Sequence, residues 1–111
     1  MSNDQPTSIL QGVTATINNL NAAEDQKAAL EALFSQLEST LRMYASSHPA
    51  ETSQIATLAR ASLDQLAAAD RDSLKSSVNA LKAAANNIRE LMPAVFGVAI
   101  TIAGSLLRLG S

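Results

Sequence analysis

The chain has 111 residues, eight Lys and Arg against ten Asp and Glu, and a formal net charge of −2. That length fits one domain burying roughly 65% of the surface its unfolded chain would expose. The absence of Cys excludes disulfide frameworks and Cys-based metal sites, and mixed, near-neutral charge argues against nucleic acid as a partner.

Aromatic residues make up only 3% of the chain: Phe34, Tyr44 and Phe96. Ala and Leu, the best apolar helix formers, dominate instead, and the prolines and glycines fall mostly where helices would be punctuated. The predicted fold class is therefore all-α: an antiparallel bundle of four to five helices, with a tail at residues 1–5 and one domain over 6–111. Residues 1–5 form a short polar segment with neither a basic nor an apolar stretch, so no signal peptide is read there.

Pro6 and Thr7 can open a first helix, and Leu10, Val13, Ile17 and Leu20 recur on one helical face. The β-branched Val13, Thr14, Thr16 and Ile17, with Gly12, leave a strand open as the alternative. Asn21, followed three residues later by Glu24, reads as the cap of a second helix over about 22–46. Its apolar stripe is Leu30, Leu33, Phe34, Leu37, Leu41 and Tyr44, with Glu24, Asp25, Glu31 and Glu38 lying off it. Glu38 and Arg42 make an i,i+4 pair worth a few tenths of a kcal/mol.

The Ser46-Ser47-His48-Pro49 run breaks the chain and places Pro49 in the first turn of a third helix. That helix runs to about residue 68 and carries Ile55, Leu58, Ser62 and Leu66 on one face, with Ala59 and Leu63 beside them. Asp70 or Asp72 caps a fourth helix, whose stripe is Leu74, Val78, Leu81, Ala85, Ile88 and Met92. Arg71, Lys75, Lys82 and Arg89 share one flank of it. They are expected to form a solvated edge facing the acidic flank of the second helix, with binding of anionic lipid or phosphate as the alternative.

Pro93 forces a kink or break, since it lacks a donor and crowds the preceding turn. The segment beyond it differs in kind. No charge occurs from Leu91 to Leu107, and Val95, Phe96, Val98, Ile100, Ile102, Leu106 and Leu107 place apolar groups on every side. An apolar C-terminal helix is predicted over 91–109, and a helix apolar all round is buried in protein or in lipid. Its uncharged part spans about 26 Å, short of the ~30 Å bilayer core. Three assignments stay open: central helix of the bundle, oligomer seam, or membrane segment. Gly97, Thr101, Gly104 and Ser105 share one side, where another helix can approach closely. Val95, Ile102, Leu106 and Leu109 make the opposite side bulky.

No catalytic residue, metal ligand or cofactor is assigned, and neither an enzyme nor a small-molecule substrate is expected. His48 is the single histidine, and it sits in a turn with no nucleophile elbow, phosphate loop or carboxylate cluster around it. Asp70-Arg71-Asp72 reads as a capping turn, because no calcium-loop spacing follows.

The run Leu81-Lys82-Ala83-Ala84-Ala85-Asn86-Asn87-Ile88, then Pro93-Ala94-Val95 and Ala99-Ile100, resembles the effector-associated, death-domain-like helical modules of bacterial conflict and immune systems. The likeness covers about a quarter of the chain, residues 81–107. It implies homotypic or adaptor contact between helical domains, with an effector elsewhere, and it carries over no catalytic residue. The expectation that the domain stands alone, with no effector attached, departs from that pattern.

The expectation is thus a cytoplasmic, non-enzymatic interaction or oligomerisation module. Its contact residues are Val95, Phe96, Gly97, Ile100, Thr101 and Gly104, and its partner is itself or another helical protein. The alternative is a membrane-inserting or pore-forming small protein, in the inner membrane or associated with a membrane, whose 91–107 segment enters the bilayer, anchored by Arg89 and Arg108.

Overall fold

The computed structural model describes residues 9–110. The expected tail at 1–5 and the helix opening at Pro6 and Thr7 lie outside the described residues. Within them are five helices and no strand: α1 (Val13–Asn18), α2 (Glu24–Tyr44), α3 (Pro49–Ala67), α4 (Arg71–Asn87) and α5 (Pro93–Gly110). The strand alternative for the first segment is thereby set aside. Leu10, Val13, Ile17 and Leu20 are all buried, but only Val13 and Ile17 share the helix; left-handed Gly12, φ 84°, separates it from Leu10, and Leu20 lies past its end.

Helices α2 to α5 run up and down in turn and form a ring in which α2 touches α3, α3 touches α4, α4 touches α5, and α5 closes back on α2. Helix α1 lies across α2 and α3. One diagonal, α3 to α5, is in contact, while α2 and α4 do not touch. The expected pairing of the basic flank of α4 with the acidic flank of α2 is therefore corrected: the two flanks sit on helices at opposite corners. Sequence periodicity shows which side of a helix is buried, not which helix lies opposite it.

Most of each apolar stripe becomes core, while Leu33 and Tyr44 of α2 and Leu58 and Leu66 of α3 stay half-buried against it. Leu30, Phe34, Leu37 and Leu41 of α2 are buried with Ile55, Ala56, Ala59 and Leu63 of α3 and Leu74, Val78, Leu81 and Ala85 of α4. The buried hydroxyls of Thr40, Thr52 and Ser62 donate to carbonyls one turn back, Gln36 at 2.6 Å, His48 at 2.9 Å and Leu58 at 2.8 Å. They enter the core with their hydrogen bonds already made.

The helix ends have local causes. Helix α2 starts at Glu24 with Ala23 at its cap, not Asn21, and the Gln26 side chain accepts from the Ala23 N–H at 3.2 Å. Asp70, rather than Asp72, caps α4 by accepting from the Ser73 N–H at 3.2 Å. Pro93 begins α5 after a break in which buried Met92 donates to the Ile88 carbonyl at 2.7 Å.

The end of α3 is unusual. The Asp70 N–H donates to the Gln65 carbonyl at 3.0 Å and the Ala69 N–H to the Leu66 carbonyl at 3.1 Å, the paired bonds of a Schellman motif. The left-handed position of that motif, normally glycine, is held by Ala69 with φ 60°. Replacing Ala69 with Gly should stabilise the protein by about 0.5–1 kcal/mol. Thermal unfolding reads this directly, and an unchanged or lower Tm would contradict it.

Arg60 secures the N-terminal segment. Its guanidinium donates to the carbonyls of Ile9 at 3.1 Å and Gln11 at 2.7 Å while its Nε holds Asp64 at 3.2 Å. At the other end of α1, the Lys27 ammonium donates to the Asn18 carbonyl at 2.9 Å.

Candidate interaction surface on the last helix

Helix α5 is not wrapped by the others. Val95, Val98, Ala99, Ile102, Ala103 and Leu106 are buried, while Pro93, Ala94, Gly97, Thr101 and Arg108 are exposed. Phe96, Ile100, Gly104, Ser105, Leu107 and Leu109 lie between these extremes. The 3.6-residue repeat thus divides α5 into a bulky side facing the core and a small, uncharged side facing outward.

The expected contact residues separate along that line. Val95 is 0% exposed. It is a core residue, which corrects its assignment as a contact. Gly97 and Thr101 are exposed, Phe96, Ile100 and Gly104 half-buried. Gly97 and Thr101 line an open groove of about 490 Å³ between α5 and α2, across from Leu33, Gln36 and Thr40. Phe96, Ile100 and Leu107 form the other edge of α5, where Leu107 borders Arg71 and Lys75 of α4.

The two glycines are not required by internal packing. A Cβ built on Gly97 or on Gly104 meets nothing within 4 Å. Gly110 differs, because a Cβ there would collide with the Leu74 side chain. The Thr101 hydroxyl donates to the Gly97 carbonyl at 2.9 Å, so the polar group on this strip is satisfied within its own helix.

The strip continues onto α2. Ala28, Ala29, Ala32, Ser35, Gln36 and Ser39 are exposed and uncharged, and Met43, 73% exposed, lies beyond them. Leu91, 49% exposed, stands in the turn before α5.

The anchor candidates Arg89 and Arg108 are exposed near opposite ends of α5. Helix α5 is, among the described residues, the one helix long and apolar enough to cross a membrane, with a mean hydropathy of 1.6 and one third of its span buried in the bundle.

The remaining sequence candidates have structural roles. His48 is half-buried. Its N–H donates to the Tyr44 carbonyl at 2.7 Å, and its own carbonyl accepts from Thr52. Among the described residues no group of three His, Asp or Glu converges as a metal site would require.

Arg60 is the residue that sequence reasoning missed. Its partners are backbone carbonyls about fifty positions away, and no side-chain pattern announces them. No family model, curated protein or solved structure matches the chain.

Proposed function

We propose that this protein is a non-enzymatic helical interaction module that makes its contact through the outward side of α5. One observation carries this reading. Gly97 and Gly104 sit in a helix interior, where each costs about 1 kcal/mol relative to Ala, yet nothing around them excludes a side chain. Together they give up about 2 kcal/mol against the typical 5–15 kcal/mol of a folded domain. Selection for stability alone would replace them, whereas a close-approaching partner helix needs them small. An adaptor in a bacterial defence system, as the resemblance implies, is one setting for such a module.

The surface chemistry supports a protein partner over a lipid surface for the folded state. Helices that lie on membranes present bulky apolar groups, while this strip presents Gly, Ala, Ser and Thr. A second reading rests on the length and hydropathy of α5. In it α5 leaves the bundle and inserts, with Arg89 and Arg108 at the headgroups. Flotation with anionic vesicles separates the two, since full-length protein that stays in solution argues against insertion.

Gly104→Leu tests the contact. A Cβ at that position meets nothing within 4 Å, so the companion Gly104→Ala should hold or raise Tm by a few degrees, consistent with about 0.5–1 kcal/mol of gained helix propensity, and a melt of Gly104→Leu checks that its fold is kept. Assembly measured by sedimentation should weaken at the same time. An unchanged assembly with an unchanged fold would sink the reading.

A further inference from the structure

Three carboxylates of α2, Glu24, Glu31 and Glu38, recur every seven residues, and so do three cations, Lys75 and Lys82 of α4 and Arg89 just beyond its end. On a helix a seven-residue step returns to nearly the same side, about 10.5 Å further along the axis. Glu24, Glu31 and Glu38 therefore make an acidic stripe on α2 and Lys75 and Lys82 a basic one on α4, with Arg89 carrying the same sequence interval into the turn beyond Asn87.

Within the molecule the stripes never meet, because α2 and α4 do not touch. Lys75, Lys82 and Arg89 are exposed, and no carboxylate of the described residues pairs with them. Glu24 is exposed and Glu31 and Glu38 half-buried, with Glu38 3.9 Å from Arg42. The basic stripe borders α5, since Arg71 and Lys75 line the same hollow as Leu107. The acidic stripe lies on the side of α2 turned away from α5, whose groove is lined instead by Leu33, Gln36 and Thr40. The two stripes thus occupy opposite faces of the bundle.

We propose that the partner is a second copy of this chain, seated with its acidic α2 stripe against the basic α4 stripe and the neighbouring Phe96–Ile100–Leu107 edge of the first. This rests on reading the outer side of α5 as a contact surface, and it names the occupant. The contact is heterologous, the two copies using different faces, so each added copy leaves one stripe of each sign open and the assembly grows head to tail. Charge matching sets the register: Lys75 and Lys82, spaced like their opposing carboxylates, bring two pairs into place at once, with Arg89 beside them at the end of α4, while a shifted register loses them.

Sedimentation velocity of the full chain tests this, with far-UV circular dichroism to confirm folding of each variant. Wild-type protein should self-associate at low salt and lose at least about tenfold in association when NaCl rises from about 25 mM to about 500 mM. Lys75→Glu, Lys82→Glu and Arg89→Glu combined should abolish self-association, as should Glu24→Lys, Glu31→Lys and Glu38→Lys combined. Mixing the two triple variants should restore it, which a merely misfolded variant would not do. A wild-type chain that stays monomeric under all these conditions overturns the proposal. Association that ignores salt and both reversals, but is lost in Gly104→Leu, overturns the stripe pairing and leaves the α5 contact standing. A monomer that instead binds phosphatidylserine vesicles, and loses that binding on reversal of the α4 cations, overturns both in favour of a membrane surface.

Discussion

A chain ending at Met92 is expected to lose cooperative unfolding altogether. Helix α5 supplies Val95, Val98, Ile102 and Leu106 to the core, all buried. At about 1.5–3 kcal/mol for each large side chain, their loss removes about 6–12 kcal/mol, comparable to the whole stability of a domain this size. Truncation also uncovers the apolar stripes of α2, α3 and α4, each of which touches α5, so the product should aggregate or become molten. A purified truncated form that is soluble and melts in a sharp transition would refute the structural role given to α5. It would favour a membrane segment attached to a self-sufficient bundle.

The second large effect is expected at Leu37. It is 0% exposed, at the middle of the α2 stripe, and Leu37→Ala should cost about 2–5 kcal/mol through lost burial and a residual cavity. For a chain near this length that lowers Tm by about 10–30 °C. Met43 on the same helix is the control. It is 73% exposed, and Met43→Ala should change stability by less than about 0.5 kcal/mol. Chemical denaturation of the two variants side by side decides the matter. Similar midpoints would mean that Leu37 does not occupy the core.

The core was legible in the sequence because burial leaves a periodic trace. The stripes of α2, α3 and α4, the Pro49 start of α3 and the two-sided character of α5 can all be read from spacing alone. The α2 cap is not legible, because Gln26 reaches back to the backbone of Ala23 and makes a start signal without a Ser, Thr, Asp or Asn at the cap. The place of α5 was only half legible. Composition makes it apolar all round, but which arc meets neighbours depends on how many helices surround it, and among the described residues these are α2, α3 and α4. Spacing puts Val95 on the bulky side with Ile102 and Leu106, and all three are buried; its assignment as a contact fails because spacing separates the two sides without showing which of them meets the core. The mutual position of α2 and α4 was not legible at all, because ring order is a property of the packed assembly.

The turn between α3 and α4 has a consequence for inserting anything into this chain. Asp70 closes the end of α3 through its N–H and opens α4 through its carboxylate, so one residue terminates two helices. The joint contains no spare residue, and an added amino acid on either side of Asp70 uncaps one helix in order to keep the other. The α2–α3 connection is built differently, with Ser46 and Ser47 exposed between the last turn of one helix and the Pro49 start of the next. A label or a protease site is better placed there, where no single residue caps two helices at once.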